Sequence, residues 1–140
     1  AGRITLGVRN PAKAARLAEE FSAYGEIQVL HWEDGAFADH LAVTDLLVNT
    51  TPLGMYPHVE GMPPVDWTKL KKAALVYDII YTPARTRFLS EAQEYGHTII
   101  NGEGMLAGQG AAAFALWTGV TPDLALMKKA LREELAARQS

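Results

Sequence analysis

The sequence predicts an α/β fold in which a Rossmann-like parallel sheet carries helices on both faces. Five short apolar runs alternate with stretches of helical periodicity, and strands interleaved with helices form parallel sheets that are covered on both sides. A chain of 140 residues has the length of one domain and can bury a core. We therefore expect one α/β domain over residues 1–140.

The first half of the chain predicts strand, helix, strand, helix and strand. The run RITLGV at residues 3–8 is β-rich, and Pro11 begins a helix because its fixed φ suits the first helical position. The apolar stripe of that helix consists of Ala14, Leu17, Ala18 and Phe21. The next elements are a strand at 27–30, a weakly helical segment at 36–43 and the strand LLVN at 46–49.

The second half repeats the alternation and closes with two helices. After a Pro- and Gly-rich loop, the expected elements are a strand at 75–80, helices at 86–95, 105–118 and 123–137, and a strand at 98–100. Pro122 and Asp123 begin the last helix. Ligands of such folds bind beyond the carboxyl ends of the strands. The segments that follow strands here are 8–13, 49–55 and 78–81.

The composition argues against several classes of function. A net charge of -3 gives no basic excess for a nucleic-acid backbone, and the absence of cysteine removes thiolate chemistry and favours the cytoplasm. No apolar run reaches the ~18 residues of a membrane span. The histidines form no i, i+4 pair and the serines no nucleophile elbow, so neither a metal site nor a serine hydrolase is expected. A small-molecule ligand is the expectation that remains.

The segment RNPAK contains a candidate anion site. Arg9 and Lys13 lie where the positive end of the first helix repels cations, so an anionic ligand would stabilise them. In dinucleotide-binding folds an acidic residue after the second strand binds the ribose 2′-hydroxyl, whereas an arginine accommodates a 2′-phosphate. The alternatives are that Arg9 and Lys13 are solvated surface residues and that Asn10 is only the helix N-cap.

Three other features each allow two interpretations. GEGMLAG, at residues 102–108, satisfies G-x-G-x-x-A after a strand, but no ribose-binding strand end follows, so its glycines serve either a ligand or close helix-to-sheet packing. Gln109 shares a helical stripe with Met105 and other apolar residues, so its amide needs a backbone partner or a ligand. Asp78 ends a strand, where a structural carboxylate is commoner than an acid or base.

Three segments, NTTPLGM, VYDIIYTPARTRFL and GEGMLAGQGAAAFALWTG, closely resemble the cofactor-binding domain of shikimate dehydrogenases. The resemblance covers nearly all of the chain. In that family the loop after the fourth strand, N-[AT]-[TS]-x-x-G-[MI], runs beneath the bound cofactor. This implies polar contacts from Thr50 and Thr51 and a close approach of the backbone at Gly54.

The resemblance implies NADP as the cofactor. Arg9 aligns with the arginine of the family's N-R-T motif, which holds the adenosine 2′-phosphate. Val8 and Asn10 replace the flanking motif residues, and Lys13 stands where a second arginine is common. The resemblance implies that Asn10 and Lys13 contact the cofactor beside Arg9. The further contacts that the resemblance implies are Ile79, Gly102 and Met105 at the nicotinamide end, and Tyr81 and Gln109 with the substrate.

Two parts of the family pattern find no counterpart in these 140 residues. They are the Gly-rich turn G-A-G-G-A, expected before Arg3, and the substrate domain with its catalytic Lys and Asp. The resemblance thus implies a partial domain of a two-domain enzyme, monomeric or homodimeric, that reduces 3-dehydroshikimate to shikimate with NADPH in aromatic amino-acid biosynthesis. We expect this segment alone to be inactive. The rivals are a quinate-type paralogue using NAD and a non-catalytic binding module.

Overall fold

The computed structural model describes residues 2–138, and within them strands and helices alternate in the predicted order. The elements are β1 (Arg3–Val8), α1 (Pro11–Glu20), a 3-10 turn (Ser22–Tyr24), β2 (Glu26–His31), α2 (Gly35–Leu41), β3 (Leu46–Asn49), β4 (Leu75–Asp78), α3 (Arg87–Glu94), β5 (Thr98–Ile100), α4 (Glu103–Thr118) and α5 (Leu124–Arg138). No helix in this range is long and apolar enough to cross a membrane. The α/β class predicted from the sequence is confirmed.

The strands pair in parallel, but in two sheets where the sequence predicted one. β1 pairs with β2, and the order of the second sheet is β3-β4-β5. A dinucleotide-binding fold with strand order 3-2-1-4-5-6 has its first strand between the second and the fourth. The five strands here match strands two to six of that order, and no part of the chain resembles the first. Without its first strand this order reduces to a pair and a triplet of strands, which explains why the single sheet predicted from the sequence was wrong.

The described chain divides into two compact units, and the first holds residues 2–45 and 64–74. In this unit α1 packs on β1 and β2, and the side chains of both strands are only exposed to half-buried. The buried apolar residues of this unit are Leu41, Trp67, Leu70 and Ala74. The N–H of Lys71 donates to the carbonyl of Leu41 at 3.0 Å, which joins the end of α2 to segment 64–74.

The second unit holds residues 46–63 and 75–138, and its central strand β4 alternates buried and half-buried residues. α3 packs on β4 and β5, and α4 packs on α5. Its buried apolar residues are Val76, Ile80, Phe88, Leu89, Ala92 and Ala107. The Asp123 carboxylate accepts from the N–H groups of Ala125 and Leu126 at 2.8 and 3.2 Å, which confirms it as the cap of α5.

The helix predicted from residue 105 begins at Glu103 instead. A carboxylate in the first turn of a helix is favoured by the helix dipole. Glu103 Oε1 also forms an ion pair with Arg132 Nε of α5 at 2.7 Å. This contact supports two helical residues, 103 and 104, that precede the apolar stripe from which the helix was predicted.

Candidate functional site

The charged turn, residues 8–13, joins β1 to α1 in the first unit. Its backbone is fixed by Asn10, whose Oδ1 accepts from the N–H of Lys13 at 3.1 Å, and by Pro11 at the first helical position. The alternative interpretation of Asn10 as the helix N-cap is therefore supported, and its contact with a cofactor stays a prediction. The first turn of α1 contains no acidic residue, so no carboxylate of that turn offsets the positive helix end beside Arg9 and Lys13. Both side chains belong to exposed residues.

The guanidinium of Arg9 lies over the ring of Trp32, with Cζ 5.7 Å from the ring centroid. Trp32 directly follows β2, and its N–H donates to the carbonyl of Val8 at 3.1 Å. Across residues 2–138, no carboxylate forms an ion pair with Arg9 or Lys13. A guanidinium held against an aromatic face by a cation–π contact uses none of its N–H donors on a carboxylate, so a phosphate can accept from them.

Sequence analysis did not identify Trp32. The signal that could have found it is its position one residue past β2, the strand that pairs with β1. In the parallel register Val8 lies opposite His31, so the residues that follow these two, Arg9 and Trp32, emerge side by side.

The buried polar cluster, Asn49, Asp78 and Thr86, occupies the second unit. The relative exposure of these residues is 2%, 0% and 0%. Asn49 and Asp78 end adjacent strands and lie opposite one another in the register, and Asn49 Nδ2 donates to Asp78 Oδ1 at 3.2 Å. Thr86, the N-cap of α3, donates from Oγ1 to Asp78 Oδ2 at 2.6 Å. The N–H of Ile80 adds a bond to Oδ1 at 3.1 Å.

These contacts favour the structural interpretation of Asp78. A buried carboxylate is costly unless its oxygens accept hydrogen bonds, and here both oxygens do. Because the side chain is enclosed, it does not present itself as an acid or base to a ligand.

The loop that follows β3 is built around Asn49. Its Oδ1 accepts from the N–H and the Oγ1 of Thr51 at 2.9 and 2.7 Å, and its Nδ2 donates to the Leu53 carbonyl at 3.3 Å. Thr51 Oγ1 also accepts from the Leu53 N–H at 3.2 Å, so this hydroxyl serves the loop itself. Thr50 is exposed. Of the two threonines, Thr50 is therefore the one available to a ligand.

Gly54 lies close to the backbone of its own loop, and the approach to a cofactor expected of it stays a prediction. Its φ is +95°, a conformation that L side chains rarely adopt, and a Cβ there would lie 3.0 Å from the carbonyl oxygen of Gly61. Both facts require glycine at this point of the loop.

The turn after β4, residues 79–81, is hydrogen-bonded to the loop after β3 and to the start of α4. The N–H of Ile79 donates to the carbonyl of Asn49 at 3.2 Å, and the N–H of Gly102 donates to the carbonyl of Ile80 at 2.9 Å. A Cβ on Gly102 would overlap the carbonyl of Ile79. Close packing is thus a sufficient reason for this glycine, and its contact with a cofactor stays a prediction. Tyr81, next in the chain, is 37% exposed.

The stripe on α4 that was expected to be covered is exposed. Gln109 is an exposed residue, and Met105 and Leu116 are 36% and 85% exposed. The argument that the Gln109 amide needs a partner because it is buried is therefore wrong. Its role as a substrate contact, like that of Met105 at the nicotinamide, stays a prediction that depends on the alignment of motifs.

Parallel strands ending in polar or glycine-rich turns define the class of dinucleotide-binding α/β domains. A family model described as the shikimate 5'-dehydrogenase C-terminal domain matches residues 102–132. A shikimate dehydrogenase (NADP(+)) of Methanococcus maripaludis is 42% identical over 129 residues, 91% of this chain and 46% of that protein. The relationship of the chain to the shikimate dehydrogenases, indicated by the three motif segments, is confirmed.

Solved structures agree with this result. A crystal structure of a shikimate dehydrogenase in complex with NADP+ matches with a TM-score of 0.82 at 35% identity, over 95% of this chain and 47% of that one. A quinate dehydrogenase from Corynebacterium glutamicum in complex with NAD matches with a TM-score of 0.80 at 28% identity, over 94% of this chain and 46% of that one. The chain spans about half the length of the proteins it matches.

Proposed function

We propose that these residues are the NADP-binding part of a shikimate dehydrogenase, which reversibly reduces 3-dehydroshikimate to shikimate with NADPH in aromatic amino-acid biosynthesis. In this proposal residues 1–140 form a partial Rossmann-like domain, and the catalytic Lys and Asp belong to a substrate domain outside it. The observation that carries the proposal is Arg9, an exposed guanidinium with no carboxylate partner in residues 2–138. It occupies the point at which dinucleotide-binding folds distinguish a 2′-phosphate from a 2′-hydroxyl.

In the proposed complex the residues of this chain bind and orient the cofactor, which supplies the hydride. Arg9 and Lys13 hold the 2′-phosphate, and Asn10 fixes the helix start from which they project. A phosphate there also gains from the positive end of α1. The donors thus favour NADP over NAD by adding charge-assisted hydrogen bonds to one phosphate.

The remaining proposed contacts are at the reactive end of the cofactor. Thr50 offers an exposed hydroxyl after β3, and the expected partners of the nicotinamide end are Ile79, Gly102 and Met105. Tyr81 and Gln109 contact the substrate in this proposal, and both are exposed to solvent in the described chain. We propose a cytoplasmic location and a monomeric or homodimeric enzyme, with neither nucleic acid nor membrane as a partner.

A quinate-type enzyme that uses NAD is the second candidate. The observation that favours it is the pair Val8 and Asn10, which replace the asparagine and threonine of the N-R-T motif that the resemblance implies for NADP. The fold does not discriminate between the candidates, because a quinate dehydrogenase in complex with NAD matches it as well.

The deciding experiment measures substrate oxidation by the full-length protein that contains this segment. Initial rates are compared for shikimate and quinate, each with NADP+ and NAD+. We expect the highest kcat/KM for shikimate with NADP+. A preference for quinate with NAD+ would establish the second candidate, and the absence of turnover with all four combinations would support a non-catalytic module. Turnover of shikimate by the isolated 140 residues would contradict the assignment of catalysis to another domain.

A further inference from the structure

We infer that Asp78 is a positioning residue for hydride transfer. Its carboxylate sets the backbone of residues 79–81, from which the proposed nicotinamide and substrate contacts project. The inference rests on the proposed function and extends it to a residue that touches neither ligand.

The two carboxylate oxygens of Asp78 act on different segments. Oδ1 accepts from the N–H of Ile80, which is part of the turn, and from Nδ2 of Asn49, which organises the loop after β3. Oδ2 accepts from Thr86, whose Oγ1 in turn accepts from the N–H of Leu89 at 3.3 Å and begins α3. One side chain therefore links the loop, the turn and a helix start.

The backbone of the turn passes this constraint on to its neighbours. The N–H of Ile79 is bonded to the carbonyl of Asn49, and the carbonyl of Ile80 is bonded to the N–H of Gly102. Because a Cβ on Gly102 would overlap the Ile79 carbonyl, the turn and the start of α4 are in contact. A rotation of the turn would move Ile79, Tyr81 and Gly102 together, and these are three of the residues proposed to line the reactive end.

The position requires a side chain that accepts hydrogen bonds at both of its terminal atoms, and not merely a polar side chain of the same size. A carboxylate accepts at both oxygens, whereas an amide donates at one of its two positions. In Asp78→Asn, an NH2 group that faces Thr86 deprives the Thr86 hydroxyl of its acceptor. An NH2 group in the Oδ1 position faces two other donors, the N–H of Ile80 and Nδ2 of Asn49, and both lose their acceptor. Either orientation removes at least one buried hydrogen bond.

The test compares variants of the full-length enzyme. Misplacement of reacting groups by about 1 Å costs on the order of 100-fold in rate, so we expect Asp78→Asn to lower kcat by about 10- to 100-fold. KM for NADP+ should change much less, because the charged turn that binds the 2′-phosphate is untouched. Thr86→Val should also lower kcat, because it removes the hydroxyl that donates to Asp78. Thr86→Ser should retain most of the wild-type kcat because it keeps the hydroxyl. Asp66→Asn is the matched control, since it changes an exposed aspartate that also binds a threonine, and it should leave kcat unchanged.

A purely structural role predicts a different pattern. The melting temperature would fall while kcat per folded molecule stayed at the wild-type value, with the folded fraction measured by cofactor titration. That result, or a wild-type kcat in Asp78→Asn, would overturn the inference.

Amide hydrogen exchange separates failure of this inference from failure of the proposed function. Exchange should accelerate in segments 49–53 and 79–81 of Asp78→Asn and stay unchanged in residues 8–13. If the wild-type enzyme oxidises neither shikimate nor quinate, the proposed function is wrong, and the positioning role is then judged by exchange alone. Unchanged exchange in segments 49–53 and 79–81 would contradict it.

Discussion

The charged turn and the buried polar cluster both follow the carboxyl ends of strands, yet they are built in opposite ways. In the charged turn the functional groups of Arg9 and Lys13 belong to exposed residues without carboxylate partners in residues 2–138. In the buried polar cluster Asn49, Asp78 and Thr86 are at most 2% exposed and bonded to one another. The first region is open to a ligand, and the second is closed around its own hydrogen bonds.

Under the proposed function, this difference assigns selection of the cofactor to the charged turn and its orientation to the buried polar cluster. Exposed charges contribute little to folding, so the charged turn can change its affinity for a phosphate without affecting stability. Buried polar groups cost about 1–3 kcal/mol each when they lose a partner, so the buried polar cluster holds a fixed geometry. Variants of the two regions should therefore differ in which quantity they change: cofactor affinity in the first, and stability or kcat in the second.

The largest expected effect is on stability, at the start of α4. Gly102 has φ -73° and ψ -4°, which alanine also adopts, so only the overlap of its Cβ with the Ile79 carbonyl matters. Gly102→Ala should lower the free energy of unfolding by about 3 kcal/mol, the upper part of the range for overpacking. In Gly108→Ala the new Cβ meets nothing within 4 Å, and the helix should gain about 0.8–1 kcal/mol. If urea unfolding gave the same change in the free energy of unfolding for Gly102→Ala and Gly108→Ala, the close approach at Gly102 would have no effect on stability.

The next effect is on cofactor affinity, at the charged turn. Removal of a charged hydrogen-bonding group costs about 1.5–3 kcal/mol, so Arg9→Ala should raise KM for NADP+ by about 10- to 100-fold. KM for NAD+ and the melting temperature should stay near the wild-type values. Arg16→Ala, which removes an exposed arginine further along α1, is the control. Equal changes in the kinetics of both cofactors would remove the 2′-phosphate role from Arg9.

A smaller effect is expected from the ring beneath Arg9. A cation–π contact at an exposed site contributes about 0.5–1 kcal/mol, so Trp32→Leu should raise KM for NADP+ by about two- to fivefold. Trp32→Phe should have a smaller effect because it retains an aromatic face. If Trp32→Leu left the ratio of the two KM values unchanged, the ring would have no part in orienting the guanidinium.

The smallest effect is on the pH dependence of stability at an exposed carboxylate. The hydroxyl of Thr68 donates to Asp66 and lowers its pKa from the ordinary value of 3.8. A lowered pKa in the folded state gives stability that is present above the unfolded pKa and lost as the pH falls through the folded pKa. Asp66→Asn should therefore melt slightly below wild type at pH 7, and the difference should shrink below pH 3.8. A difference that is independent of pH would show that the charge is not its source.

Local features of the fold could be predicted from the sequence because each depends on a few adjacent residues. Asp123 was predicted to begin the last helix, and the N-cap was one of two interpretations of Asn10. In the structure each side chain accepts a hydrogen bond from backbone N–H in the first turn of its helix. The positive φ of Gly54 suits its residue type, whereas the approach to a cofactor expected of it stays a prediction.

Contacts between distant residues could not be predicted in the same way. Asn49 and Asp78 are 29 residues apart, and only the parallel register brings them together. Thr50 and Thr51 are adjacent and of the same residue type, so the sequence does not show which of them is free to contact a ligand. The hydrogen bonds of Thr51 to Asn49 distinguish the two. The exposed Gln109 shows a further limit, because helical periodicity identifies an apolar stripe but not whether another surface covers it.

A crystal structure of the full-length enzyme with NADP+ bound tests the central claim most directly. The account predicts a 2′-phosphate oxygen within about 3 Å of the Arg9 guanidinium, with the ring of Trp32 on the opposite face. An Arg9 side chain that points away from the ligand, with the dinucleotide bound elsewhere, would contradict it.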